Sequence, residues 1–188
     1  MVIADIGAVI TRRGVEAGDS CPLRRYRAEM LTLRRTTPDD IDDLTCWETE
    51  PGTSAWLGGT GHDWHTRALA DLDQEHVVAA DRDALVGFAV LAGLRGCGGV
   101  ELRRMVVAPA HRGTGYGRAL LQAVLVRAYR HRGAQTVWLD VKEHNRRARS
   151  LYESTGFVAR ETRRDAIAEP DGAASTLVIM VHQPRWRT

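Results

Sequence analysis

The residues best suited to chemistry stand together in one stretch: Val106-Val107-Ala108-Pro109-Ala110-His111-Arg112-Gly113-Thr114-Gly115-Tyr116-Gly117-Arg118. An apolar run ends, a glycine-rich turn follows, and a segment of helical period begins. Such a turn exposes several backbone N–H groups at the positive end of a helix dipole, which favours an anion. Glycines let the backbone approach that anion closely, and Arg112 and Arg118 add positive charge. The expected ligand is a phosphate or pyrophosphate. Three binding patterns compete. A Walker loop needs Gly-Lys-Ser/Thr, and the turn has no lysine. A Gly-x-Gly-x-x-Gly dinucleotide fingerprint fails, because its last position falls on Arg118 or Leu120. Asp140 nevertheless follows the next strand at a distance suited to such a site. The third pattern, Arg-x-x-Gly-x-Gly, is met by Arg112, Gly115 and Gly117. A strand-to-helix turn whose glycines serve only packing is the plain structural alternative.

The elements that must position this turn can be read from period and punctuation. Leu31 to Arg35 alternates like a first strand. Thr37-Pro38-Asp39-Asp40 is a helix entry, with a capping threonine, proline at the first helical position and aspartates near the positive dipole end. Ile41, Leu44 and Trp47 continue it at helical spacing until Pro51-Gly52. After the glycine loop Gly58-Gly59-Thr60-Gly61, a second short helix is expected near Asp63 to Leu72. Strands follow at His76–Ala80, Ala84–Leu91 and Val100–Val107, with turns at Asp81-Arg82-Asp83 and Gly96-Cys97-Gly98-Gly99. Gly117, Leu120, Leu121, Val124, Leu125 and Ala128 make one apolar helix face near Gly115 to His131. Gln135–Val141 reads as a buried strand. Asn145 caps a short helix that ends at Gly156. Phe157–Thr162 and Thr176–His182 are the last strands, joined by the polar segment Arg163–Ala174. The order indicates an α+β fold with a mixed sheet.

Two stretches then carry a family resemblance. Glu101 to Leu121, ELRRMVVAPAHRGTGYGRALL, resembles the central acyl-CoA motif of the GNAT superfamily of N-acetyltransferases. Trp138 to Phe157, WLDVKEHNRRARSLYESTGF, resembles the second motif of the same superfamily. The two occur in the family's order and at a compatible spacing, and the resemblance covers roughly residues 30 to 183. It implies an acyl-CoA N-acyltransferase-like fold: a mostly antiparallel sheet with a splayed strand pair, flanked by helices.

The resemblance also implies roles. Acetyl-CoA would be the co-substrate. Its pyrophosphate would lie on the amides of Arg112, Gly113, Thr114, Gly115, Tyr116, Gly117 and Arg118. Its pantetheine arm would pair with the strand end Met105, Val106 and Val107, and the Val107 N–H would hold the thioester carbonyl. Asn145 resembles the asparagine that contacts the cofactor and is equally suited to a pure N-cap. Acyl transfer to an amine needs a route for the amine proton, a donor for the oxyanion and a proton for the departing thiolate. Glu101 is the candidate base, acting through water, or else a strand glutamate paired with Arg103. Tyr152 is the candidate acid, by the family's use of a tyrosine here, or else an aromatic that packs its helix. Trp56, His62, Trp64 and His65 surround the glycine loop and would line an amine pocket or pack locally.

Composition limits the alternatives. The chain has 188 residues, with 26 basic against 24 acidic side chains. That balance gives no global signal for nucleic acid. Three cysteines, Cys21, Cys46 and Cys97, form no disulfide framework. No metal-ligand spacing appears, and the longest charge-free apolar stretch, Ala84–Leu94, is too short to span a bilayer. No signal peptide is evident at Met1–Ile10. These features point to a soluble cytoplasmic protein. Residues 1–29 read as an arm and 184–188 as a tail, whose Trp186 would suit a homodimer or docking on its own domain. The expected reaction is acetyl transfer to a small-molecule or peptide amine by direct attack. A non-catalytic acyl-CoA-binding domain of the same fold is the rival reading.

Overall fold

The computed structural model describes residues 31–97, 99–168 and 174–184. The expected arm, Cys21 and Trp186 lie outside the described residues. The elements run β1 (Leu31–Arg35), α1 (Ile41–Thr49), α2 (Pro51–Ser54), α3 (His62–Ala70), β2 (Gln74–Asp81), β3 (Ala84–Ala92) and β4 (Val100–Val107). They continue as α4 (Tyr116–Val126), β5 (Val137–Lys142), α5 (Arg146–Glu153), β6 (Val158–Ala168) and β7 (Ala174–His182). Thr37 does open the first helical segment. Its hydroxyl and N–H both donate to Asp40 Oδ2, at 3.0 and 2.7 Å, and Arg34 clamps the same carboxylate.

One sheet in the order β1-β2-β3-β4-β5-β7-β6 organises the chain. Every neighbouring pair is antiparallel except β4 and β5, which run parallel. That pair is joined only at Val100↔Val137 and Glu101↔Trp138. Beyond these residues the strands diverge, which leaves the β5-facing edge of β4 without a strand partner. The sheet is the mixed, mostly antiparallel one expected, with its splayed pair.

Two cores cover its faces. On one, α4 buries Ala119, Leu120, Leu121 and Val124 against β1, β3 and β4, with Val100 and Leu102 beneath. Each buried leucine or valine among them contributes about 1.5–3 kcal/mol. On the other face, Leu44 of α1 packs with Val78, Phe88, Val90 and Val106. A bulge in β4 decides which residues go where. Leu91 pairs with Leu102 and Val90 with Arg104, so Arg103 is the extra residue. Leu102 therefore faces α4, whereas Arg104 and Val106 face the opposite core.

Two expectations need correction. The segment Arg163–Ala174 is not only a connection: β6 continues to Ala168, and its end pairs Ile167 with Ser175 of β7. The helix expected to end near His131 also changes character, since Arg127–His131 winds as a π-helix after α4.

Candidate active site

Between the diverging halves of β4 and β5 lies a cavity of about 980 Å³. Its walls come from β4 (Leu102–Val107), the following turn, β5 (Asp140–Lys142), α5 and the α2 segment, with Ile167 and Leu177 from the last hairpin. At one end the glycine turn opens α4. Gly113 has φ 76° and Gly115 φ 100°, left-handed values that an L side chain strains to adopt. Of the amides expected to hold the anion, those of Arg112 and Arg118 instead donate within the turn, to Pro109 O and Gly115 O at 3.2 and 3.1 Å.

Most expected cofactor contacts line this cavity: Met105, Val106, Val107, Arg112, Gly113, Gly115, Gly117, Arg118 and Asn145. The direction of the Val107 N–H follows from strand alternation. Ala108 N–H donates to Val86 O on β3 at 2.9 Å, so the Val107 N–H faces the splay. Two side chains of the turn point elsewhere. The Tyr116 hydroxyl donates to Asp81, and the Thr114 hydroxyl donates to His111 O at 2.7 Å. Asn145 Oδ1 accepts from Ala148 N–H at 3.1 Å, so it caps α5 while facing the cavity.

The candidate acid and base fare differently. Tyr152 lines the cavity, its ring packing on Phe157 with centroids 5.7 Å apart. Among the described residues its hydroxyl has no hydrogen-bond partner. Burial first, and the nearby Asp140 charge second, push its pKa up to about 12. It therefore keeps its proton at neutral pH. Glu101 sits at the root of the splay, where its carboxylate accepts from Arg103 at 2.8 Å, and it is not among the cavity residues. The carboxylate that does face the cavity is Asp140. Its pKa is raised, by desolvation first and by the Glu101 charge next. Asp140 was legible only as a ribose-binding candidate, since nothing in the sequence alone says that β5 turns it toward Tyr152.

The aromatic and histidine group around the glycine loop separates. Trp56 lines the cavity and pairs with His144 at 5.1 Å between centroids. Trp64 lies under the Arg104 guanidinium, 3.6 Å from its carbon. His65 is fully buried behind the wall, and His62 contacts Thr66 on the exposed face of α3. Of the four, only Trp56 lines the cavity. Behind that wall runs a polar chain. Thr36 Oγ1 meets His76 Nδ1 at 2.8 Å, and His76 Nε2 meets His65 Nδ1 at 2.9 Å. His65 Nε2 then lies 3.2 Å from Glu48 Oε2, and Glu48 Oε1 accepts from Arg104 at 2.7 Å.

Comparison with known proteins gives these features a context. Residues 41–157 match the model of the acetyltransferase (GNAT) family. A [ribosomal protein bS18]-alanine N-acetyltransferase of Haemophilus ducreyi is 34% identical over 100 residues, 53% of this chain and 67% of that one. An uncharacterized N-acetyltransferase of Mycobacterium tuberculosis is 38% identical over 96 residues, 50% of this chain and 60% of that one. The aligned part thus spans about two thirds or less of these relatives. Among solved structures, spermidine N-acetyltransferase from Vibrio cholerae in complex with CoA and spermine superposes with a TM-score of 0.73 at 20% identity, over 82% of this chain and 96% of that one. The ribosomal-protein-S18-alanine N-acetyltransferase of Escherichia coli gives 0.66 at 23%, over 82% and 94%. These structural likenesses speak for the fold. With both motifs in place and the family model matched across both, the chain belongs to the GNAT family of acetyltransferases.

Proposed function

We propose that this protein transfers an acetyl group from acetyl-CoA to a primary amine by direct attack within the splay. One observation carries the reading: the anion-binding turn, an unpaired strand edge, the Tyr152 hydroxyl and the Asp140 carboxyl all face one cavity. CoA supplies the activated thioester when bound. The amides of Gly113–Gly117 suit its pyrophosphate, and the free edge of β4 suits the amides of its pantetheine arm. The Val107 N–H, which faces the splay, is the candidate oxyanion donor. Tyr152 holds a proton for the departing thiolate. Asp140 is the carboxylate placed to take the amine proton, and its raised pKa moves it toward the range useful to a base. Glu101, paired with Arg103, acts by its charge on Asp140 in this reading.

The lining also bears on the acceptor. Among the described residues it carries Arg103, Arg104 and Arg112, each paired with a glutamate outside the lining, and Arg118, Lys142, Arg146 and Arg147, with Asp140 as its one carboxylate. Like charges in a cleft of low dielectric disfavour a polycation. A single amine on an uncharged carrier, such as a peptide α-amine, fits better than a polyamine. The test is thiol release from acetyl-CoA with an alanine-initiated hexapeptide, free amino acids and spermidine in parallel. Turnover of the peptide with spermidine inert is the expected outcome. CoA binding without turnover of any amine would replace the enzyme with a binding domain.

A further inference from the structure

The position of Arg112 in the Arg-x-x-Gly-x-Gly turn marks it as a phosphate ligand, but its side chain is engaged elsewhere. Nε donates to Val107 O at 3.2 Å, Nη1 lies 3.3 Å from Glu50 Oε2, and Nη2 donates to Thr53 Oγ1 at 2.5 Å. All three guanidinium nitrogens are therefore spent on the end of β4 and on the α2 segment. Two further cations hold the same segment. Lys142 Nζ donates to Ala55 O at 2.9 Å, and Arg104 Nη2 donates to Gly59 O at 2.8 Å. The wall is thus gripped at Thr53, Ala55 and Gly59, and between the grips it presents Trp56, Leu57 and Gly58 to the cavity. The segment needs such anchoring. It contains Gly52, Gly58, Gly59 and Gly61, and α2 is a single helical turn. Short, glycine-rich segments hold one conformation only when other groups impose it.

We propose that the Arg112 side chain is a positioning residue that ties the acceptor wall, residues 50–61, to the cofactor turn, and that it is not a phosphate ligand. The inference rests on the reading that this cavity takes CoA and an amine. The pyrophosphate then falls to the backbone amides of the turn, with Arg146 and Arg147 at the start of α5 as the nearby charges. The two roles make opposite demands. A phosphate ligand needs charge, which lysine supplies. A three-way clamp needs the planar fork, which lysine lacks.

The experiment compares wild type, Arg112→Gln, Arg112→Lys and Glu50→Gln. The readouts are CoA affinity by calorimetry, amide exchange of peptides covering residues 50–61, and global unfolding temperature. Arg112→Gln should leave CoA affinity within about threefold of wild type while exchange across 50–61 quickens by about fivefold or more. Arg112→Lys should loosen the wall as much as glutamine does. Glu50→Gln, which leaves Arg112 in place on a half-exposed partner, should quicken the same peptides to a smaller degree. In steady state with the hexapeptide, the peptide KM should rise in Arg112→Gln while the acetyl-CoA KM holds. The proposal is overturned if Arg112→Gln weakens CoA by about twentyfold or more and lysine restores it. Unchanged exchange at 50–61 overturns it equally. Wild type that binds no CoA would instead sink the functional reading, and the exchange data would still decide whether Arg112 clamps the wall.

Discussion

The buried histidine pair makes acid stability a direct test of the wall behind the active site. His76 is 3% exposed and packs face to face on Phe88 at 5.3 Å. Its Nε2 lies 2.9 Å from His65 Nδ1, so charge on one ring opposes charge on the other. Burial first and His65 second therefore push the His76 pKa down from 6.5 to about 3. Arg104 pushes the same way, and Glu48 and Asp40 oppose it. The folded state thus keeps His76 neutral while the unfolded chain takes up a proton below 6.5. The resulting stability is present above that pH and is lost as pH falls toward 3. At pH 4.5, two units below the unfolded value, the loss is about 2.7 kcal/mol. Other groups titrate nearby. Asp40 and Glu75, both held at about 2, lose their contributions mainly lower down, and the raised Asp140 works in the opposite sense. Comparison with His76→Gln isolates the histidine. The variant should cost about 1–3 kcal/mol at pH 7 through lost buried hydrogen bonds. Urea unfolding by tryptophan fluorescence, repeated from pH 7 to 4.5, should show that gap closing by about 2–3 kcal/mol. Parallel stability curves for the two proteins would refute the claim that His76 is held neutral.

Other perturbations separate the parts of the site. Gly115→Val forces a β-branched residue to φ 100° where no neighbour lies within 4 Å, so its effect is purely conformational; CoA affinity by calorimetry should fall by about tenfold or more. Tyr152→Phe keeps the packing on Phe157 and removes the proton, so turnover should drop by about a hundredfold with CoA affinity unchanged. Asp140→Asn should erase the acidic limb of the pH–rate profile, a limb that lies above the ordinary aspartate range in wild type. Glu75→Gln strands Arg127 and Arg132, which hold its buried carboxylate at 2.6 and 2.9 Å. Because both arginines are partly exposed, the cost should be about 2 kcal/mol, read as a fall of about 4–8 °C in Tm with activity retained.

What the sequence made legible was local. The cofactor end is built from contiguous residues: a strand end, a turn whose glycines must be left-handed, and a helix start. Asn145 caps α5 and Tyr152 lies within it, so their relative placement follows from helical geometry alone. The acceptor end is assembled from residues far apart in the chain. Lys142 reaches Ala55 across 87 positions, and Arg104 reaches Glu48 across 56. No periodicity encodes such contacts. The length of β6 was missed for a related reason. Its arginines and Asp165 read as a polar connection, yet an edge strand can expose charged side chains freely because only one of its edges must pair.

The identity of the residue at the base of the cavity turned on a single inserted position. Glu101, Arg103 and Arg104 are charged and nearly adjacent, so alternation cannot assign all three to consistent faces. The bulge at Arg103 resolves the conflict. Were Arg103 paired regularly instead of bulged, Leu102 and Arg104 would share a face and a guanidinium would sit beneath α4 among Leu120, Leu121 and Val124. With the bulge, Leu102 stays in that core and Arg104 turns to Glu48, Trp64 and Gly59 on the other side. The extra residue, Arg103, is then free to engage Glu101 at the root of the splay. That pairing leaves Asp140 as the carboxylate in the cavity and sets a negative charge behind it. The same bulge therefore anchors the acceptor wall through Arg104, while the raised pKa of Asp140 comes from burial first and the Glu101 charge next, with Arg103 opposing. Deleting Arg103 would remove the bulge yet make Leu102 and Arg104 neighbours on opposite faces, so Arg104 should stay on Glu48 and the domain should still fold, while Glu101 loses its partner.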